Sequence, residues 1–229
     1  MGAAPDEPAG WGRCRFCALP LPPGDACCYC CRTVAAGLGV PPVPVVAAAV
    51  FRPGDAVHRM LRRYKDAPVA EARSYHADRA ARRLALLAGR HGRLRRGRPC
   101  GAWDVVATVP SSRGRSGSPV DDLVGRVPDL AAERRPLLVR GPGRLDHLVA
   151  SVRGFAPGPA ATEWRGARVL VVDDTYTTGA RAQSAAAALR RAGLVPVGIA
   201  VVGHLVAPPG ERRPRDRACP KAAAGPLRA

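Results

Sequence analysis

Apolar residues along this chain fall into two patterns. The first is short unbroken runs, WDVVATVP (103–110), RVLVVD (168–173) and VPVGIAVV (195–202), which have the length and composition of strands buried on both faces. PLLVR (136–140) is a shorter strand candidate. The second pattern has a longer period. Val57, Met60, Leu61 and Tyr64 recur at helical spacing after Asp55, and Ala77, Ala80, Leu84 and Leu87 share one helix face over 70–90. Ser118-Pro119, with Asp121 and Asp122 in the first turn, starts a helix predicted to run to about 127. Another helix is predicted from about 179 to 192, with Gly193 as its C-terminal stop. Strands alternating with helices predict an α/β fold, a parallel sheet covered on both faces.

The remaining segments carry no such periods. Residues 1–12 and the Pro-, Arg- and Ala-rich stretch 207–229 are expected to be disordered. Residues 13–40 read as a loop-like, Cys-rich module, and 45–206 as the main domain. RHGRLRRGRP (90–99) reads as a basic linker, and the Gly- and Pro-rich 141–166 as a long mobile loop. The apolar run at 40–51 is interrupted by Pro41, Pro42 and Pro44 and is too short to cross a bilayer. The start, MGAAPDEPAGWGR, has no apolar core of a secretory signal. The expectation is a cytoplasmic protein without membrane insertion.

Composition changes this picture in two ways. Hydrophobic residues make up 47% of the 229 positions but aromatics only 4%, so aliphatic side chains and alanine must fill the core. The net charge is +18, yet 34 of the 36 basic residues are Arg, spread along the whole chain, with Lys only at Lys65 and Lys221. That skew, beside abundant Ala, Gly and Pro, reads as GC-rich coding bias more than as a dedicated polyanion surface. A phosphorylated small molecule fits the charge equally well, and weak nucleic-acid contact stays open. The scarcity of aromatics disfavours a specialised single-strand binder, which stacks bases on rings.

The stretch with the most chemistry is VLVVDDTYTTGAR (169–181). A buried strand delivers Asp173 and Asp174 to the C-terminal edge of a parallel sheet, where ligands bind in open α/β folds. Thr175, Tyr176, Thr177, Thr178 and Gly179 then lead into a helix. Unpaired amides at such a turn point at an anion, threonine hydroxyls add donors, and glycine allows close approach. Carboxylates repel a phosphate but suit sugar hydroxyls. Acids for a ring diol beside amides for a 5′-phosphate describe a sugar-phosphate pocket. Competing motifs are missing: there is no G-x-x-x-x-G-K-[ST], no strand followed by G-x-G-x-x-G, no H-E-x-x-H and no G-x-S-x-G.

Cys14-Arg-Phe-Cys17 is one C-x-x-C, and CCYCC (27–31) holds two overlapping ones, Cys27/Cys30 and Cys28/Cys31. Two such knuckles about ten residues apart can surround one tetrahedral zinc with four thiolates. Spacing alone leaves the second pair open. A redox pair would need one C-x-x-C and leave the other unexplained. Four cysteine ligands leave no open position for catalysis, so the metal would be architectural. Cys100 and Cys219 stand alone and read as ordinary thiols.

VLVVDDTYTTGA closely resembles the phosphoribosyl-diphosphate (PRPP) signature of type I phosphoribosyltransferases. The resemblance implies that fold. It implies that Asp173 and Asp174 face the ribose 2′ and 3′ hydroxyls, and that residues 175–179 hold the 5′-phosphate. It also implies transfer of a phosphoribosyl group from PRPP, with Mg²⁺ on the leaving pyrophosphate. In that family a loop after the first core strand touches the pyrophosphate. VPSSRGR lies there, making Ser111, Ser112 and Arg113 candidates, with Arg115 behind them.

A four-cysteine knuckle, a helix ending in RRYKD, VPSSR and the PRPP motif occur in that order, which resembles the ComF family, linked to natural competence and DNA uptake. The resemblance implies a structural zinc held by Cys14, Cys17, Cys28 and Cys31, because the knuckle then continues as Cys-Arg. It also points to Lys65 as a phosphate contact. Two functions follow as expectations: a phosphoribosyltransferase with an unknown acceptor, or a non-catalytic PRPP- or nucleotide-binding accessory of DNA uptake.

Overall fold

The structure, a computed structural model, describes residues 11–92, 102–111, 118–145 and 149–206. Strands β1 (Gly12–Arg13) and β2 (Pro20–Leu21) form a small antiparallel ladder ahead of helix α1 (Tyr29–Leu38). β3 (Val45–Phe51) is followed by α2 (Ala56–Asp66) and α3 (Ala70–Gly92). β4 (Val105–Thr108), α4 (Pro119–Gly125) and α5 (Pro128–Glu133) come next. β5 (Leu138–Arg140) and β6 (Phe155–Pro157) pair antiparallel. β7 (Arg168–Tyr176), α6 (Ala180–Arg191) and β8 (Val195–Leu205) complete the order.

The main sheet is parallel, with strand order β3-β8-β7-β4. Its central strands are covered on both faces, which is why they read as unbroken apolar runs. Val169, Val171, Ile199 and Val201 pack with α6 through Ala182, Ala185 and Leu189. Leu170, Val172, Ala200 and Val202 pack on the other side with Met60, Leu61, Ala80 and Leu84 of α2 and α3 and with Leu123 of α4. With few rings available, close alanine packing lets helix and sheet approach; Leu84, Leu123 and Leu189 are fully buried, and truncating any one to Ala would cost about 2–5 kcal/mol.

Where the structure departs from the sequence pattern, local causes are visible. The sequence pattern shows β3 only as a broken apolar run. The prolines end at Pro44, whose carbonyl accepts the Ile199 N–H at 2.8 Å, and the chain after it pairs with β8. α1 lies inside the segment read as loop. Cys28 caps it, its sulfur accepting the Cys31 N–H at 3.4 Å, and Gly39 ends it at φ 67°. α5 was not anticipated, and part of the predicted 141–166 loop is ordered as β6 and a 3₁₀ turn at Pro159–Ala161. β7 continues past Asp173 to Tyr176, because Asp173, Thr175 and Tyr176 stay in register with Val201, Gly203 and His204.

The cysteine segment shares one buried cluster with the sheet. Cys14, Cys17, Cys28 and Cys31 pack with Val43, Val45, Tyr176 and Val201, and the Phe16 carbonyl accepts the Val45 N–H at 2.7 Å. Among the described residues no helix is long and apolar enough to cross a membrane.

Candidate functional site

β7 carries Asp173 and Asp174 to the C-terminal end of the sheet, and each is only 3% exposed. Two adjacent buried carboxylates repel each other unless the surroundings separate their protonation, and here they do. Asp174 receives the Tyr64 hydroxyl as donor and ion-pairs with the Lys65 ammonium, both from the last turn of α2. Burial alone would raise the Asp174 pKa; Lys65 and the Tyr64 hydroxyl outweigh it and hold the carboxyl below its usual value. The Tyr64 phenol moves upward, through burial and then through the Asp174 charge. Asp173 accepts the Asp174 N–H at 2.9 Å, and burial, with the Asp174 charge second, pushes its pKa to about 7.

A carboxyl whose pKa is about 7 in the folded protein and 3.8 in its reference state holds its proton more tightly when folded. Its ionisation therefore costs stability, increasingly as pH rises from about 4 to 7 and fully above that window. Asp173→Asn is expected to raise the melting temperature at pH 8 and to change it little at pH 4. Differential scanning calorimetry across that range checks this; an equal shift at both pH values would refute it.

The turn from strand to helix is formed by Thr177, Thr178 and Gly179. The Thr178 Oγ1 accepts the Ala180 N–H at 3.3 Å, and Gly179 takes φ 84°, a backbone region that disfavours side chains. α6 follows, presenting its first amides at the sheet edge. Tyr176 does not face this edge. Its ring is 2% exposed on the cysteine side of the sheet, edge-on to His204 with centroids 5.1 Å apart.

A cavity of about 290 Å³ opens at this edge. Asp173, Asp174 and Thr175 line it from β7, Lys65 from α2, Ser111 from the end of β4, and Arg181 from α6. A second cavity of about 380 Å³ adjoins it, sharing Lys65, Ser118 and Pro119. Of the residues singled out in the sequence, Asp173, Asp174, Thr175, Ser111 and Lys65 thus converge on one space, with Thr177, Thr178 and Gly179 in the adjoining turn. Ser112, Arg113 and Arg115 lie outside the described residues.

Two residues join the site that sequence reasoning passed over. The spacing of Tyr64 places it in the helix core, and only the fold shows its hydroxyl on Asp174. Arg181 directly follows the Thr/Gly turn, so its place in the first helical turn was the available signal. Its Nη2 donates to the Pro110 carbonyl at 3.0 Å, while its Nε is buried without a partner among the described residues. Arg181 lines the cavity beside the Thr/Gly turn, and a guanidinium there suits a phosphate oxygen. Arg181→Gln is expected to weaken binding of inorganic pyrophosphate about tenfold, since a charge-assisted hydrogen bond contributes about 1.5–3 kcal/mol. The melting temperature should shift by only a few degrees. Titration calorimetry measures the former, and unchanged affinity would remove Arg181 from the site.

On the opposite face of the sheet Cys14, Cys17, Cys28 and Cys31 are all buried, with their sulfurs within 4.8 Å of one another. Cys17 and Cys28 sulfurs are 3.6 Å apart. A zinc tetrahedron with Zn–S bonds of about 2.3 Å sets its sulfurs about 3.8 Å apart, so the donor set and its spacing suit a metal ion such as zinc. The α1 N-terminus adds electrostatic support, Cys31 donating its N–H to the Cys28 sulfur, and Cys28 donating to Cys14 at 3.4 Å. Contact with Cys17 and then Cys31 holds the Cys28 thiol far below its usual pKa, while the contact with Cys28 lifts Cys17. A cation relieves that conflict by accepting all four as thiolates. Cys27 and Cys30 are half-buried and are not among the four grouped sulfurs; the Cys27 sulfur lies beside Cys14 and donates to the Cys28 carbonyl at 3.7 Å.

No family model matches the chain, and no curated protein matches it.

Proposed function

We propose that the chain is a PRPP-binding phosphoribosyltransferase of the ComF type, with the type I phosphoribosyltransferase fold and a zinc-stabilised N-terminal knuckle. The observation that carries this reading is the convergence of Asp173, Asp174, Thr175, Lys65, Ser111 and Arg181 on one cavity at the C-terminal edge of a parallel sheet. Acids and cations lining one cavity suit a ligand that carries both hydroxyls and phosphoryl groups.

In this reading Asp174, held ionised by Lys65 and Tyr64, and Asp173 bind the ribose diol. The 177–179 turn and the first amides of α6 take the 5-phosphate. Arg181 and Ser111 stand at the leaving-group side. During transfer the bond from C1 to pyrophosphate breaks as a bond from C1 to the acceptor forms, and positive charge builds on the ring. Buried carboxylates stabilise that charge, and cations stabilise the departing diphosphate. Because Asp174 is already engaged by Lys65 and Tyr64, Mg²⁺ fits as a partner of the incoming diphosphate, whose charge it would neutralise.

The test is thermal stabilisation, since a ligand that binds only the folded state raises its apparent stability. Millimolar ribose 5-phosphate, and PRPP with Mg²⁺, are expected to raise the melting temperature by several degrees. Ribose without phosphate is expected to do nothing. No shift with either phosphorylated pentose would end this reading. PRPP-dependent pyrophosphate release then separates a transferase from a binding accessory of DNA uptake.

A further inference from the structure

Tyr176 belongs to the Thr/Gly motif by sequence but to the cysteine cluster by packing. Its ring lies in the buried group formed by Cys14, Cys17, Cys28 and Cys31 with Val43, Val45 and Val201. Its hydroxyl reaches the other way. It sits directly beneath Gly179, where any Cβ would run into it. It also accepts the Gln183 Nε2 at 3.4 Å.

Gln183 extends the connection. On the first turns of α6, it clamps the chain leaving α1 through two bonds of 2.8 Å, accepting the Val43 N–H and donating to the Val43 carbonyl. Tyr176 therefore belongs both to the buried cluster that holds the cysteines and to the contacts beneath the 177–179 turn. Close-packed atoms transmit a displacement because cores have few voids to absorb it.

We infer that the four-cysteine knuckle is the buttress of the anion-binding turn, and that Tyr176 is the positioning residue that couples the two. Metal in the knuckle holds the Tyr176 ring, and the Tyr176 hydroxyl sets the height of Gly179 and the aim of the first α6 amides. Metal occupancy and phosphate-ligand binding must then favour each other by the same factor, because linkage between two binding equilibria is reciprocal. The ligand half of this inference rests on the sugar-phosphate reading above; the structural half does not.

The experiment uses the zinc-loaded full chain and two measurements. Hydrogen exchange is followed in peptides covering 177–183, with β4 as internal reference, in the wild type and in Tyr176→Phe, which keeps the ring and removes the hydroxyl. The expected result is exchange at least fivefold faster in 177–183 with β4 unchanged. Equal exchange in the turn would overturn the coupling, and faster exchange in turn and β4 alike would reduce Tyr176 to a general core residue.

The second measurement needs no variant. Zinc transfer to a chromogenic chelator is timed with and without 10 mM ribose 5-phosphate, after a thermal shift has established whether that ligand binds. Ribose 5-phosphate is expected to slow transfer at least threefold. If it binds and leaves the rate unchanged, the coupling is overturned. If it does not bind at all, the sugar-phosphate reading falls, and the exchange measurement alone decides the buttress.

Discussion

Cys31→Ser is expected to lower the melting temperature of the zinc-loaded protein by about 15 °C or more, or to prevent folding. Cys31 is a fully buried member of the four-sulfur group and belongs to the core that covers one face of the main sheet. A serine there would remove one of the four sulfurs suited to hold a metal and would leave a polar hydroxyl among apolar neighbours. Structural zinc binding in small domains contributes on the order of 10 kcal/mol of folding free energy. In a domain of this size a loss of about 5 kcal/mol moves the midpoint by roughly 10–20 °C. Cys27→Ser and Cys30→Ser are the controls, expected to shift it by under about 3 °C, because neither sulfur joins the cluster. Scanning calorimetry with zinc quantified by a chromogenic chelator checks both halves. A Cys31→Ser protein that melts normally, or a Cys27→Ser protein that loses zinc, would show that the wrong second knuckle has been chosen.

Asp174→Asn is expected to weaken ribose 5-phosphate binding by at least thirtyfold and to abolish any PRPP-dependent release of pyrophosphate. The Asp174 carboxylate is the ionised member of the pair, fixed by Tyr64 and Lys65 at the cavity wall. An amide of the same shape keeps the volume but removes the charge that a sugar diol and an electron-poor ring would meet. It also removes the ion pair between the Lys65 ammonium and Asp174. Breaking a fully buried pair costs about 3–5 kcal/mol, but the Lys65 side chain is 30% exposed. Water can replace part of the lost interaction, and the stability loss is expected to fall below that range. Binding is read by calorimetry at a temperature where both proteins are folded, as judged by circular dichroism. Undiminished affinity in a folded Asp174→Asn protein would place the diol elsewhere and remove the basis for the proposed chemistry.

The two variants probe opposite faces of one strand, and the sequence exposes those faces unequally. Strands β4, β7 and β8 and helices α2, α3 and α6 were legible because each repeats one physical constraint along the chain: burial on both faces, or on one helical stripe. Asp173 and Asp174 were legible because two acids at the end of such a run break the pattern where a parallel sheet opens. β3 was hidden by the prolines before it, and α1 by the cysteines that cap it, since a thiol is not an expected helix cap. The split in character between the two acids was not legible, because it comes from Tyr64 and Lys65, 110 residues from Tyr64 to Asp174 along the chain.

Tyr176 marks the boundary most clearly. Its position in the motif placed it with the ligand contacts, while the structure turns it to the far side of the sheet, under Gly179 and against the cysteine cluster. The sequence by itself determined the elements, the polar sheet edge and two candidate knuckles, because those depend on neighbours close along the chain. Tertiary structure alone decided which four sulfurs meet, which carboxylate is held ionised and which side chains support the turn rather than line the cavity. Those outcomes depend on distances between segments that local periodicity does not encode.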